Sequence, residues 1–466
     1  MKIAFFANYE KTICFHQIAV RLVAAGHEVF WISPSGHWAQ WLADQGVAPA
    51  AILDLSRFGE EWAGRQSTEE DRDHLARLEE TGGLRCNDVI LMDRVMRPLP
   101  YEENLRYLAV VSRHVARFIA EHDLRFVFGE QTFGAELITG MVCRGSNVEF
   151  LAPHVVRIPT GLMGFFRGHL QAELFPLRDV TDADVTRARE FLVTFRRDRP
   201  RPDYFLRNLQ QPRPRWDWPA KLARHAWLEV ADRFDRTHVS PRWLVRLRAS
   251  EVTNALYHRV SQPYWVPPET PERPFVLFTL HRQPEASIDV LGARISNQVE
   301  LVRALARTLP ATHELYVKEH PNGRGDRSPA MMRELASIPG VRLVDPGVSS
   351  FALAETAALT IVVSGTAAYE AALMGRRAVA LAPMFFGDIL AAPAFDPYRD
   401  SLATLLRDAT CVDDDRLVAR LAAIIASSFP GLVDNPRVSP QVLEPENLDS
   451  VAAGLQMALV ASPRAS

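Results

Sequence analysis

Ser364, Gly365 and Thr366 form a turn between an apolar run, predicted to be a strand, and a stretch predicted to be a helix. Such a turn presents backbone N–H groups at the positive end of the helix dipole, which favours an anion such as a phosphate. Gly365 lets the backbone approach a ligand, and the two hydroxyl groups add donors. The same residue types also make an ordinary helix N-cap, so the turn alone leaves both interpretations open.

Two histidines follow other predicted strands of the same region. His320 follows a strand at 314–317, and Pro321 prevents that strand from continuing. His281 and Glu285 follow a strand at 275–280. An imidazole at such a position donates to a phosphate or leaving-group oxygen. Because parallel strands end at one edge of a sheet, these residues and the Ser-Gly-Thr turn predict a nucleotide-phosphate pocket.

Several further side chains are candidates for the site, and each has a second interpretation. Glu370 is one turn into the helix after the Ser-Gly-Thr turn, where a carboxylate accepts from a ribose or is simply solvated. Arg282 suits a phosphate or a neighbouring carboxylate. Lys318 and Arg157 are candidates for binding phosphate or carboxylate, with a solvated cation as the alternative.

Glu130 is the carboxylate that stands out in the first third of the chain. It follows a strand at 125–128 and Gly129, and a helix is predicted after it. Ligands of open α/β sheets bind at the carboxyl ends of strands, so we expect Glu130 to face a ligand cleft.

The elements that position these residues alternate between strand and helix, beginning with a strand, helix and strand over residues 2–32. This alternation predicts an α/β protein with two doubly wound, Rossmann-like domains facing a cleft. We expect an N-terminal domain at 1–170 with a helical insertion at about 56–97, and a C-terminal nucleotide-binding domain at 266–395. A helical linker region at 171–265 joins them, and a helical tail at 396–466 can pack back on the first domain.

Composition excludes several classes of protein. The chain has 466 residues with 53 Lys and Arg against 56 Asp and Glu, a net charge of −3, which does not suit a general nucleic-acid coat. Its four cysteines are far apart and spell neither a zinc site nor a redox motif, as expected in a reducing compartment. No run of about 20 apolar residues is present. These features predict a cytoplasmic protein that binds no nucleic acid.

One segment departs from this balance. Residues 187–259 contain 17 Lys and Arg against 8 Asp and Glu, with tryptophans and tyrosines between them. A helical linker whose tryptophans pack on the domains is one interpretation. The others are a surface for an acidic glycan acceptor and a patch for anionic lipid headgroups, with peripheral association at the inner face of the cytoplasmic membrane.

The order of the motifs resembles the bacterial capsule-polysaccharide biosynthesis glycosyltransferases. The resemblance is carried by Phe-Thr-Leu-His-Arg-Gln-Pro-Glu-Ala-Ser (278–287), Lys-Glu-His-Pro (318–321) and Ser-Gly-Thr-Ala-Ala-Tyr-Glu (364–370), with Gly-Glu-Gln-Thr (129–132) and Val-Arg-Ile-Pro (156–159) upstream. The match covers about residues 275–390 best. It implies a GT-B fold in which the second domain holds a nucleotide-sugar donor and the first domain holds a glycan or lipid-linked glycan acceptor.

In relatives that use CMP-activated acidic sugars, a His-Pro motif and a Ser/Thr-rich loop contact the donor phosphate. His320-Pro321 and Ser364 to Thr366 match these features, and Arg157 is expected on the acceptor side. Those relatives carry an acidic base on a first-domain loop, often in an acidic pair followed by Gly. This chain has Gly129-Glu130-Gln131 instead, and Glu130 is the candidate base.

The resemblance therefore implies inverting transfer of an acidic sugar, of ketodeoxyoctonate (Kdo) or nonulosonic acid type, in which Glu130 takes the acceptor proton and His320 stabilises the departing phosphate. No cofactor is needed. No Asp-x-Asp signature points to a divalent metal, since Asp413 to Asp415 fits a solvated surface cluster. We expect metal-independent transfer.

Three other functions remain open. Thr-Leu-His-Arg with His-Pro and Ser-Gly-Thr also resembles the non-hydrolysing UDP-N-acetylglucosamine 2-epimerases, and a transferase using a UDP-sugar is a related alternative. Those epimerases typically continue His-Arg-Arg-Glu-Asn and Ser-Gly-Gly, whereas this chain has Gln283, Pro284 and Thr366 at the differing positions. A non-catalytic sugar-binding or assembly protein, recruited to the membrane through the basic segment, is the third possibility.

Overall fold

The structure is a computed structural model that describes residues 1–199, 218–260, 265–266, 273–320, 327–392 and 395–462. Within these ranges the chain forms two α/β units, each built on a largely or wholly parallel sheet. The α/β class with two doubly wound domains is thereby confirmed. No helix in the described part of the chain is long and apolar enough to cross a bilayer.

The N-terminal domain is built on an eight-stranded sheet. Its main path is β14–β6–β5–β4–β1–β2–β3, and β7 pairs with β6. Neighbouring strands from β5 to β3 along this path run parallel, whereas β6, β7 and β14 add antiparallel pairs at one edge. The strands contributed by this half of the chain are β1 (Lys2–Phe6), β2 (Glu28–Ser33), β3 (Ile52–Asp54), β4 (Phe126–Phe128), β5 (Glu149–Val155), β6 (Leu162–Arg167) and β7 (Glu173–Leu174).

Strand β1 lies at the centre of the parallel part and explains why a parallel sheet forms. Its residues Ile3, Ala4, Phe5 and Phe6 are fully buried, as a strand covered by helices on both faces requires. The helices of this half are α1 (Lys11–Ala24), α2 (Gly36–Asp44), α3 (Gly59–Trp62), α4 (Glu69–Gly82), α5 (Cys86–Met92), α6 (Tyr101–His122) and α7 (Gly134–Gly145). Residues 59–92 therefore carry three helices, and α4 packs against α6 and α7.

The prolines in residues 153–161 predict a proline-punctuated loop, but in the structure this stretch begins as strand. Pro153 lies inside β5 and pairs with Phe165 of β6. Proline cannot donate a backbone hydrogen bond, but β4 ends opposite Leu151, so β5 has one neighbour rather than two at this point. The expectation of a loop from residue 153 is corrected by this hairpin.

The C-terminal domain is built on a six-stranded, entirely parallel sheet in the order β13–β12–β9–β10–β11–β8. Its strands are β8 (Trp265–Val266), β9 (Phe275–Thr279), β10 (Glu314–Lys318), β11 (Val341–Val344), β12 (Leu359–Val362) and β13 (Ala378–Ala380). Three helices precede it, namely α8 (Asp182–Asp198), α9 (Trp218–Ala231) and α10 (Pro241–Val260). Its own helices are α11 (Ala286–Asp289), α12 (Gln298–Arg307), α13 (Pro329–Ala336), α14 (Ser350–Thr356), α15 (Thr366–Leu373) and α16 (Leu402–Asp408).

The last part of the chain returns to the N-terminal domain. Helix α17 (Asp414–Ala426) packs against α8, and β14 (Ser428–Pro430) pairs with Leu162 to Gly164 of β6. Helix α18 (Pro445–Ala461) then packs against α1. The sheet that begins with the first strand of the protein is thus completed by one of its last elements.

The two domains also share apolar packing. Ile158 and Phe166 of the first domain belong to the same buried cluster as Tyr369 and Phe385 of the second. The Tyr369 hydroxyl donates to the carbonyl of Ile158 at 3.2 Å. The loop that carries Arg157 is therefore held against the helix that follows the Ser-Gly-Thr turn.

Candidate active site

Three loops of the C-terminal domain come together because their strands are neighbours. His281 follows β9, His320 follows β10 and Ser364 follows β12, and β9 lies between the other two strands. Thr279 at the end of β9 is level with both Lys318 and Val362. The sheet order therefore places all three loops at one edge.

His281 joins two of these loops. Its Nε2 accepts a hydrogen bond from the backbone N–H of Ser364 at 3.2 Å, which requires the proton to be on Nδ1. Its backbone exchanges two hydrogen bonds with the side chain of Gln298, at 2.7 and 3.1 Å. Burial lowers the pKa of His281 to about 3, and the nearby charges of His320, Arg157 and Arg327 act in the same direction. His281 is therefore neutral and positions the turn rather than supplying charge.

The Ser-Gly-Thr turn is shaped by that contact. A Cβ at residue 365 would lie 3.3 Å from Cε1 of His281, so glycine suits this close approach. The Ser364 hydroxyl donates to the carbonyl of Ser287 at 2.6 Å, which ties the turn to helix α11. Gly365 is the N-cap residue of α15 and has no side chain with which to cap it. The start of α15 thus faces the edge where His281 and His320 lie.

Glu370 lies inside the domain rather than in solvent. Burial raises its pKa to about 7, and a hydrogen bond with the Thr366 side chain opposes this shift only in part. The hydroxyl of Thr366 is thereby linked to a carboxyl group that holds its proton near neutral pH.

We expect Glu370→Gln to change how stability depends on pH. The folded protein keeps this proton up to about pH 7 whereas the unfolded chain loses it near 4.5, so the free energy of unfolding falls as pH rises through that interval. Gln removes the effect, and the variant should gain up to about 3 kcal/mol over the wild type between pH 5 and pH 8. Urea unfolding at both pH values measures it. The exposed Glu446→Gln should show no such gain, and an equal difference at the two pH values would contradict the assignment.

Lys318 does not face the phosphate edge as expected. Its ammonium is buried and donates to the carbonyls of Glu319 at 3.0 Å and Pro346 at 3.2 Å. Burial lowers its pKa to about 8 despite the neighbouring carboxylates of Glu319 and Asp345. Lys318 joins two loops of the sheet edge, so we do not retain it as a phosphate ligand.

A buried ion pair supports the same loops and was missed in the sequence. The Nε of Arg327 donates to both carboxylate oxygens of Glu319 at 2.9 Å, and its Nη2 donates to the carbonyl of His281 at 2.5 Å. The backbone N–H of His320 also donates to Glu319, at 3.3 Å. One pair thus connects the His281 and His320 loops. Glu319 lies inside the Lys-Glu-His-Pro motif, but no spacing indicated Arg327 or Gln298.

The remaining donor-side candidates lie on these loops. Arg282 is half-buried and Glu285 is exposed, and both lie between β9 and α11. His320 is half-buried at the end of β10. Pro321, the other half of the His-Pro motif, lies outside the described residues.

Glu130 lies at the corresponding edge of the N-terminal sheet. It follows β4, whose neighbour β1 leads into α1 and Lys11. The Lys11 ammonium donates to Oε1 of Glu130, and within the described part of the chain Oε2 has no hydrogen-bond partner. Burial alone would lower the pKa of Lys11, but the Glu130 carboxylate raises it above its ordinary value. Lys11 is thus the cation that pairs with the candidate base, Glu130. Its position soon after the end of β1 could have identified it from the sequence.

Glu136 gives the Glu130 loop its shape. Its carboxylate accepts from the backbone N–H groups of Glu130 at 3.1 Å, Thr132 at 2.9 Å and Phe133 at 3.4 Å. Burial raises the pKa of Glu136 to about 7, and the charge of Glu130 adds to this shift. The loop is therefore held by one buried carboxyl group and presents a second one, Glu130, at its surface.

The positive charge of Arg157 affects histidines of both domains. Burial lowers the pKa of His154, and the positive charge of Arg157 lowers it further, while Glu130 opposes the shift. The charge of Arg157 also reaches His281 of the other domain. The charge of Arg157 therefore acts on one histidine in each domain, His154 and His281.

Metal ligands are not grouped in this region. Across the ranges that the structure describes, no three His, Cys, Asp or Glu side chains are arranged to hold a metal ion. The absence of a metal requirement stays a prediction.

Comparison with known proteins gives only weak likenesses to solved structures. No family model and no curated protein sequence matches this chain. Solved structures that it resembles include the β-Kdo 2,7-transferase KpsC of Thermosulfurimonas dismutans, with 12% identity over 75% of this chain and 90% of that one and a TM-score of 0.37. MurG of Acinetobacter baumannii shows 13% identity over 98% and 99%, with a TM-score of 0.27. A putative UDP-N-acetylglucosamine 2-epimerase of Listeria monocytogenes shows 10% identity over 95% and 94%, with a TM-score of 0.24. Likenesses of this size carry no argument about activity.

Proposed function

We propose that this protein is an inverting glycosyltransferase that acts on bacterial surface glycans. It transfers an acidic sugar of Kdo or nonulosonic acid type from a CMP-activated donor to a glycan hydroxyl, without a metal ion. What supports the proposal is that a carboxylate, Glu130, follows strand β4 of one sheet and a turn suited to phosphate, Ser364 to Thr366, follows strand β12 of the other, with the charge of Arg157 acting on a histidine in each domain.

The chemistry follows from this placement as a single displacement. The acceptor hydroxyl loses its proton to Oε2 of Glu130 while its oxygen attacks the anomeric carbon of the donor sugar. The bond between that carbon and the phosphate oxygen breaks, and its electron pair leaves with CMP. Lys11 holds the other carboxylate oxygen, so the base keeps one orientation. One displacement inverts the anomeric configuration.

The donor phosphate lies at the C-terminal edge in this scheme. The backbone N–H groups at the start of α15 and the side chain of His320 stabilise the charge that develops on the departing phosphate. His281 contributes by holding the turn, because its neutral Nε2 accepts from the Ser364 N–H. Arg157 contacts the acceptor where it approaches the donor.

Nucleotide binding tests this proposal directly. With EDTA present and CMP at about 100 times its Kd, we expect the melting temperature to rise by a few degrees, because CMP binds only the folded protein. His320→Ala and Ser364→Ala should abolish the rise. His313→Ala and Ser337→Ala, in the same domain but outside these loops, should keep it.

The other nucleotides decide between the alternatives. A rise with UDP alone would indicate a UDP-sugar transferase or an epimerase and overturn the CMP assignment. No rise with CMP, CDP, UMP, UDP or GDP would favour a sugar-binding or assembly protein. A rise that EDTA removes would contradict metal-independent binding.

A further inference from the structure

Helix α9 and the turn after it dock on the N-terminal domain through one face. Arg224 forms an ion pair with Glu10, and Arg236 with Glu103. Asp232 accepts hydrogen bonds at the start of α2, from the Ser35 hydroxyl at 2.6 Å and the backbone N–H groups of Gly36 at 3.2 Å and His37 at 3.0 Å. Leu228, between these polar contacts, is buried. This inner face of α9 is therefore fully engaged.

The opposite face of α9 is apolar and exposed. It is formed by Ala223, Ala226, Trp227 and Val230, spaced three and four residues apart as one face of a helix requires. Val230 is 82% exposed and Trp227 is 54% exposed. The Trp227 ring contacts His37 of α2 edge to face, with 5.6 Å between the ring centroids, and the rest of its surface stays exposed beside Val230. An exposed valine next to the exposed part of a tryptophan on a docked helix indicates a surface with another partner.

Helix α10 repeats this arrangement. Leu244 and Leu247 are half-buried on its inner face, whereas Val245, Val252 and Leu256 lie on its outer face, where Leu256 is 66% exposed. A helix that is apolar on both faces is suited to a position between the protein and a second apolar medium.

The charged side chains of α9 and α10 indicate which kind of partner the outer face binds. Four arginines of α9, α10 and the turn between them are paired with carboxylates, namely Arg224, Arg233, Arg236 and Arg248. Arg242 and Arg246 lie beside the apolar outer face of α10 and are exposed. The described residues include no carboxylate within ion-pair distance of either arginine. The outer face thus combines apolar side chains with unpaired cations.

We propose that the outer faces of α9 and α10 dock on the surface of an anionic lipid bilayer. Apolar side chains enter the boundary between headgroups and acyl chains, and arginines beside them bind the anionic headgroups. The ion pairs of Arg224 with Glu10 and of Arg236 with Glu103 hold α9 and the turn after it on the N-terminal domain while this occurs. This inference is independent of the proposed activity.

Vesicle flotation tests the surface with the full-length protein. We expect the protein to float with vesicles of equal parts phosphatidylglycerol and phosphatidylcholine, and to bind vesicles of phosphatidylcholine alone at least tenfold more weakly. Val230→Asp with Leu256→Asp should reduce the partition coefficient at least tenfold, and so should Arg242→Glu with Arg246→Glu. All four side chains are exposed, so the fold should be kept, and the melting temperature verifies this.

Matched controls lie elsewhere on the molecule. Val460→Asp changes an exposed valine of α18, and Arg333→Glu with Arg416→Glu makes the same charge change on other helices. Both should float like the wild type. The inference is overturned if the protein does not bind anionic vesicles, or if controls and test variants lose binding equally. It is also overturned if light scattering shows a dimer that Val230→Asp with Leu256→Asp dissociates, because the face would then bind a second copy.

Discussion

Replacing Glu130 with Gln is expected to lower kcat for sugar transfer by about 10²–10⁴-fold while leaving nucleotide binding unchanged. The amide has the same shape as the carboxylate but cannot take the acceptor proton. It also ends the ion pair with Lys11, whose ammonium is then left beside a neutral group. Glu130 is on the N-terminal domain, whereas the turn proposed to bind phosphate is on the C-terminal domain, so the donor site should be intact.

This prediction is measured as kcat and KM for transfer from a CMP-activated acidic sugar, together with the rise in melting temperature caused by CMP. Glu80→Gln makes the same change at an exposed site and should keep full activity. If the Glu130 variant keeps more than a tenth of the wild-type kcat, another group is the base. If it loses both transfer and the CMP effect, Glu130 acts on the structure of the cleft.

Arg327→Met is expected to lower the free energy of unfolding by about 3–5 kcal/mol, which is the largest effect on stability that the structure predicts. The side chains of Arg327 and Glu319 are each 2% exposed, and removing the guanidinium leaves a buried carboxylate without its partner. The carbonyl of His281 also loses a donor. Because both histidine loops depend on this pair, CMP binding should weaken as well.

Urea unfolding followed by circular dichroism measures this loss. The matched control is Arg303→Met, which removes an arginine from a partly exposed pair with Glu334 and should cost no more than about 1 kcal/mol. Adding Glu319→Leu to Arg327→Met should restore part of the loss, since no buried charge then remains unpaired. A loss equal to that of the control would show that the buried pair contributes little.

The fold and the positions of the strand-end residues followed from local patterns. Apolar strands that alternate with amphipathic helices predict parallel sheets, and parallel sheets bring strand ends together. This reasoning predicted an edge shared by His281, His320 and Ser364, which the order β12–β9–β10 provides. It needed no knowledge of side-chain contacts.

What sequence analysis missed depends on contacts between distant residues. Lys318 and Arg157 are both cations at or after strand ends. The Lys318 ammonium donates to two backbone carbonyls, whereas the charge of Arg157 acts on a histidine in each domain. Their types are alike and only the fold distinguishes them. The ion pair of Glu319 with Arg327 joins two loops, and the distance between these residues along the sequence matches no recognisable motif. Strand β14 has three residues, too few for any periodicity.

The pairing of β14 with β6 has a consequence for synthesis of the protein. Residues Leu162 to Gly164 of β6 receive their partner from residues 428–430, more than 260 positions later. During translation the ribosome releases the first domain long before that partner, so this apolar edge stays open while the rest is made. An open edge of this kind invites pairing with other nascent chains. We therefore expect the yield of native protein in cells to depend on chaperones that occupy β6 until the ribosome has finished.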